Sequence, residues 1–165
     1  MNKELHLCRM TKNIMSEKSV DLLNDEYFMR QALLEAQRAE DRGEVPIGAV
    51  IVCRKRIIAR AHNLTETLND VTAHAEMQAI TAAASVLGGK YLKDCTMYVT
   101  VEPCPMCAGA LSWSQISKVV YGAEDEKRGF SQYTPCVLHP TTELVSGVLK
   151  EESANLIKKF FRDKR

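Results

Sequence analysis

Two short segments of this chain could do chemistry: His74-Ala75-Glu76 and Pro103-Cys104-Pro105-Met106-Cys107. One imidazole and two thiolates are zinc ligands by type, and three of them leave one corner of a tetrahedral ion open. Structural zinc sites close all four corners with protein atoms, so an open corner points to hydrolysis. Glu76, two residues beyond the histidine, supplies a carboxylate able to move protons beside the metal. Displacing an amino group from an aromatic base needs this equipment: an activated water, a proton for the ring nitrogen, and a proton for departing ammonia. Two thiolates and a neutral imidazole also cancel the 2+ charge of the ion.

The plainer readings carry weight of their own. A lone C-x-x-C is more often a redox pair or half of a structural zinc knuckle. A redox pair has no need of H-x-E upstream, and a zinc ribbon wants a second C-x-x-C. The other cysteines, Cys8, Cys53, Cys95 and Cys136, are isolated in sequence, and any of them remains available as a fourth ligand that would close the site. Glu102 reads as a polar residue at a strand end.

These residues must be positioned by helix ends. Asp70 and Thr72 offer capping oxygens to a helix over Ala73–Leu87, which Gly88-Gly89 ends. Residues two apart do not share a face in mid-helix, so His74 and Glu76 converge only from a first turn. Pro105 suits the first helical position, which puts Cys104 at the N-cap and Cys107 in the first turn. The positive end of that helix dipole favours thiolate over thiol. Two helix N-termini are therefore expected to aim at one metal.

The rest of the chain supplies a frame. Asp25–Arg42 has the period of an amphipathic helix with Gly43 as its stop. Ile47–Cys53 and Ile57–Ala61 read as a hairpin across Arg54-Lys55-Arg56, followed later by strands Thr96–Val101 and Lys118–Tyr121. Residues 122–142 are rich in loop signals, and Glu151–Arg162 closes the chain as a helix. The order α-β-β-α-β-α-β…α predicts an α/β three-layer α/β/α sandwich around a mixed sheet, with both metal motifs at strand-to-helix junctions on one sheet edge.

At 165 residues the chain fits one domain, read as residues 24–165, preceded by a polar, weakly ordered extension over 1–23. Six cysteines without framework spacing, and no apolar stretch of signal-peptide type, point to the cytoplasm. No run approaches the ~18 apolar residues of a membrane span. The formal net charge of +1 excludes a global field for nucleic acid, so RNA binding would need a local basic patch.

H-x-E with P-C-x-x-C is the pattern of zinc nucleobase deaminases, and from Asp25 to Arg165 the chain resembles the bacterial tRNA-specific adenosine deaminases. Glu44-Val45-Pro46-Ile47-Gly48-Ala49-Val50, Asn63, Tyr98-Val99-Thr100-Val101-Glu102-Pro103 and Val119-Val120-Tyr121-Gly122-Ala123 carry the resemblance, with Leu138-His139-Pro140 and the ending Phe160-Phe161-Arg162. It implies a cytidine deaminase-like fold with a five-stranded sheet and one zinc per subunit, held by His74, Cys104 and Cys107. It further implies that Glu76 is catalytic in converting the wobble adenosine of an arginine tRNA anticodon to inosine. Asn63 would hydrogen-bond the target base, and Asp125 and Lys127 would contact anticodon-loop sugar and phosphate. Phe161, Arg162 and Arg165 would meet RNA at the C-terminus, where by themselves the cations read as a charged helix end. The family works as homodimers on a tRNA anticodon stem-loop. The chain departs from the family at Val71, where proline is common, at Glu124, where a base is common, and over Thr141-Thr142-Glu143.

Two rival functions remain open at this level. One keeps the fold and acts on a free nucleobase such as guanine or cytosine, against which the Phe160-Phe161-Arg162 ending speaks. The other is a non-catalytic zinc-stabilised subunit or RNA-binding module, which would have no need of Glu76.

Overall fold

The computed structural model describes residues 22–133 and 135–164. The weakly ordered extension expected over 1–23 and the contact expected of Arg165 lie almost wholly or wholly outside them. A central five-stranded sheet is built from β1 (Gly48–Cys53), β2 (Arg56–His62), β3 (Cys95–Val101), β4 (Lys118–Ala123) and β5 (Glu143–Ser146), in the spatial order β2-β1-β3-β4-β5. β1 runs antiparallel to β2 and β3, while β3, β4 and β5 are parallel, so the sheet is mixed.

Alternation along the strands explains the layers. Ala49, Ile51, Met97, Val99 and Val119 point into one apolar core, and Val50, Val52, Tyr98 and Val120 point into another. A sheet buried on both faces needs helices on both. Among the described residues these are α1 (Asp25–Asp41), α2 (Ala75–Leu87), α3 (Pro105–Ser114) and α4 (Lys150–Asp163). Phe28, Met29 and Ala32 of α1 fill one core, while Ala75, Ala79, Ala108 and Leu111 of α2 and α3 fill the other. Gly48 lets α1 lie directly on β1: a Cβ there would collide with the Ala32 carbonyl and the Ala36 amide. The three-layer α/β/α sandwich of the sequence reading is the observed architecture.

Two details differ from expectation. The fifth strand, Glu143–Ser146, falls just beyond the loop-rich stretch; it is short and largely exposed, so it lacks the alternation that marks a half-buried strand. Helix α2 starts at Ala75, not Ala73, with His74 as its N-cap at ψ 153°. Asp70 is spent on the preceding turn, where its carboxylate accepts the Thr72 N–H and hydroxyl at 2.8 and 2.7 Å. Extended backbone at His74 frees its ring to turn toward α3. The hairpin turn was legible: Arg54 and Lys55 take φ of 50° and 61°, the left-handed pair of a type I′ turn.

Candidate metal centre and active site

The parallel strands end where the chemistry begins. β3 runs through Val101 and Glu102 into Pro103 and Cys104, and Pro105 opens α3 as its first residue. Cys104 is the N-cap and Cys107 lies in the first turn, as the spacing predicts. His74 caps α2 beside them. Its Nδ1 stands 3.7 Å from Cys104 Sγ and 3.5 Å from Cys107 Sγ, and the three donor atoms lie within 4.8 Å of one another. A tetrahedral zinc with ordinary Zn–N and Zn–S bonds places nitrogen and sulfur about 3.6 Å apart. The donors fit that ion in type and in spacing. Among the described residues no fourth His, Cys, Asp or Glu joins the group, so Cys53, Cys95 and Cys136 do not close the site.

Electrostatics follow from burial and from the helix ends. Cys104 is a thiolate: the Cys107 thiol and the His74 ring hydrogen-bond its sulfur and hold its pKa down to about 4, against burial. The same thiolate, together with burial, pushes the Cys107 thiol far up; its hydrogen bond also raises His74, against burial. The protein without metal therefore keeps a proton on Cys107 that zinc must displace, as expected of a thiolate site. Glu76, in the first turn of α2 and 3% exposed, sits against this cluster. Burial pushes its carboxyl up to about 7, opposed by its own backbone N–H and the His74 ring. A carboxyl poised near neutrality both takes and gives protons.

Asn63 reaches the site through its neighbours. Leu64 N–H donates to the Ala73 carbonyl at 3.0 Å, and Gln78 of α2 donates to the carbonyls of His62 and Ala73, which stitches the end of β2 to the start of the H-x-E helix. Asn63 itself is buried, with Nδ2 donating to Glu44 Oε2 at 3.3 Å and to Thr65 Oγ1 at 3.2 Å. The other expected contacts lie outside this buried group. Asp125 builds a turn, its Oδ1 accepting the N–H groups of Lys127 and Arg128 at 3.0 and 2.9 Å, while the Lys127 side chain is exposed. Phe161 and Arg162 are exposed on α4, the latter near Asp163 at 3.4 Å. Lys159 on Glu40 and Lys164 on the Gly43 carbonyl dock that end of α4 beside the loop leading to Glu44. Glu124, where the family prefers a base, pairs with Lys150 at 3.1 Å.

Two residues do more than the sequence indicates: Glu102, which reads as a polar strand-end residue, and Glu44, which has no role of its own in the motif that contains it. Glu44 and Glu102 are buried carboxylates whose partners are loop N–H groups. The available signal at Glu102 was a charge directly after an apolar run and next to a proline; Glu44, in Arg42-Gly43-Glu44-Val45-Pro46, carried no such signal.

Residues 23–123 match the model of the cytidine and deoxycytidylate deaminase zinc-binding region. The chain is 49% identical over 149 residues to a tRNA-specific adenosine deaminase of Bacillus subtilis, spanning 87% of this chain and 92% of the relative. A solved structure from work on A-to-I editing by tRNA:A34 deaminases at the wobble position superposes with a TM-score of 0.74 at 45% identity, over 79% of this chain and 98% of the other. A guanine deaminase of Bacillus subtilis superposes at 0.59 and 46% identity over 61% of this chain and 65% of its own. With 49% identity over most of its length and a match to the zinc-binding region across residues 23–123, the chain belongs to the tRNA-specific adenosine deaminases, zinc enzymes of the cytidine and deoxycytidylate deaminase superfamily.

Proposed function

We propose that the chain hydrolyses the wobble adenosine of a tRNA anticodon, that of arginine tRNA, to inosine and ammonia. His74, Cys104 and Cys107 would hold the zinc, which would supply Lewis-acid activation of water, lowering its pKa to about 7 so that a nucleophile is available at neutral pH. Glu76 performs the proton work: its carboxylate takes a proton from the attacking water and delivers it to the ring nitrogen, then takes the second proton from the hydroxyl newly added to the ring carbon and passes it to the amine, which leaves as ammonia while the carbonyl forms. The buried Glu76 carboxyl beside the His/Cys/Cys group is the observation that carries this reading. Asn63, held from behind by Glu44, contacts the flipped base. A base must leave the stack to enter a closed site, and anticodon loops present bases that can do so. Lys127, Phe161, Arg162 and Arg165 meet the RNA outside, with Asp125 shaping the loop that carries Lys127.

The enzyme works as a homodimer in the cytoplasm. Met106 and Trp113, seven positions apart on α3, are exposed, Trp113 by 85%, which supports a protein partner on that face. No helix among the described residues is long and apolar enough to cross a membrane. The 46% identity to a guanine deaminase favours a second reading, deamination of free bases. Incubating the purified protein with anticodon stem-loops and with adenine, guanine and cytosine separates the two. Inosine in the stem-loop supports the proposal; turnover of free bases alone sinks it.

A further inference from the structure

Glu102 is 4% exposed and stands between the last residue of β3 and the Pro103-Cys104 ligand segment. Among the described residues no cation pairs with its two oxygens. Oε2 accepts the N–H of Asp125 and Oε1 the N–H of Ser131, both at 3.0 Å. The backbone repeats the link on both sides: Glu102 N–H donates to the Ala123 carbonyl at 2.8 Å, and Phe130 N–H donates to the Pro103 carbonyl at 3.0 Å. Between these anchors the loop closes on itself through Asp125, whose Oδ1 takes the Lys127 and Arg128 amides and whose carbonyl takes the Gly129 amide at 2.8 Å. Gly129 lies so close that any Cβ there would run into the Glu102 carboxylate. Nearly every N–H from Asp125 to Ser131 is thus turned inward, and the side chains of Lys127 and Arg128 are left exposed.

We propose that Glu102 is a positioning residue: its buried carboxylate clamps the Asp125–Ser131 loop to the metal-ligand segment, and so sets where Lys127 and Arg128 stand relative to the reacting centre. The consequence for RNA rests on the function proposed above. Charge-assisted bonds to backbone amides are stronger than neutral ones, and a carboxylate buried without them would be costly. A loop held in place before binding does not have to be ordered by the substrate, which is where affinity is gained. The zinc ligands have their own support at the starts of α2 and α3, so loosening the loop should leave them in place.

Glu102→Gln puts an amide NH2 where one oxygen accepts an N–H, and Gly129→Ala presses on the same carboxylate from the loop side. In both variants we expect one zinc per chain, kcat within about twofold of the parent, and KM for an anticodon stem-loop raised about tenfold, the size of one lost charge-assisted bond. The slope of log affinity against log salt should also flatten, because the two cations no longer reach phosphate together. A purely structural residue would lower thermal stability without moving either quantity. Hydrogen exchange at the Asp125 and Ser131 amides reads the clamp directly and should be faster in Glu102→Gln. Parental exchange overturns the clamp, and so does faster exchange with parental KM and salt slope, or lost zinc and kcat with KM unchanged. If Glu102→Gln fails to fold, Gly129→Ala gives the same readouts. A parent that turns over free bases and not the stem-loop sinks the functional proposal alone; faster exchange with a raised KM for that base still supports the clamp.

Discussion

Glu44 Oε2 lies 3.3 Å from Asn63 Nδ2, and the carboxylate that makes this contact is fully buried. The same group accepts the N–H of Thr67 at 2.7 Å and of Glu66 at 3.2 Å. One side chain therefore orients the amide of Asn63 and builds the turn that follows it. A carboxylate has only acceptors, so the Asn63 nitrogen must face it.

Glu44→Ala should cost about 1–3 kcal/mol, because it strands buried donors. Burial raises the Glu44 pKa, yet the Thr67 and Glu66 amides and the Thr65 hydroxyl hold it below its ordinary value of 4.5. A carboxyl depressed on folding stabilises the fold above its unfolded pKa and loses that effect as pH falls through the folded one. The stability gap between parent and Glu44→Gln should therefore be full at pH 6 and shrink below pH 4.5. Denaturant titrations at pH 6 and pH 3 check it, and an equal gap at both would contradict the account.

Cys104→Ala should lose zinc and, since metal binding and folding are coupled, stability as well. Metal-stripped parent treated briefly with iodoacetamide near pH 6 should be alkylated at Cys104 before Cys107. Cys104 is a partly exposed thiolate, whereas Cys107 is a buried, protonated thiol. Peptide mapping reads the order; modification at Cys107 first would reverse the assignment of the two sulfurs.

Glu76→Ala should keep zinc and stem-loop affinity while turnover falls ~10²–10⁴-fold, the usual worth of a general acid–base group. Single-turnover assays with metal analysis test this. Near-parental deamination would mean that another group moves the protons.

Neutralising Lys127, Arg162 and Arg165 together should weaken stem-loop binding and reduce its log–log salt slope by about 0.7 per lost contact. Zinc content should not change, since none of the three belongs to the metal motifs. Asn63→Ala should instead lower turnover with little change in slope, because it removes a hydrogen bond and no charge. Parental affinity of the triple variant at every salt would leave free-base deamination as the better reading.

The metal centre was legible in sequence because it is local. Pro105 and the cysteine spacing dictate which helix turn holds the sulfurs, and H-x-E converges only at a helix start, which is where His74 and Glu76 lie. The hairpin at Arg54-Lys55 and the two-faced strands were readable for the same reason, since periodicity is a property of neighbours. The short exposed strand β5 was not, because nothing within its four residues distinguishes it from loop; it exists through pairing with β4. Glu44 and Glu102 show the limit most plainly. A carboxylate in sequence is a charge, and only the fold decides whether it meets water or a buried row of amides. Glu102 meets amides 23 and 29 residues away, and Glu44 meets a turn beyond an intervening hairpin. Contacts at that separation depend on how strands stack side by side, which no local pattern of residues encodes.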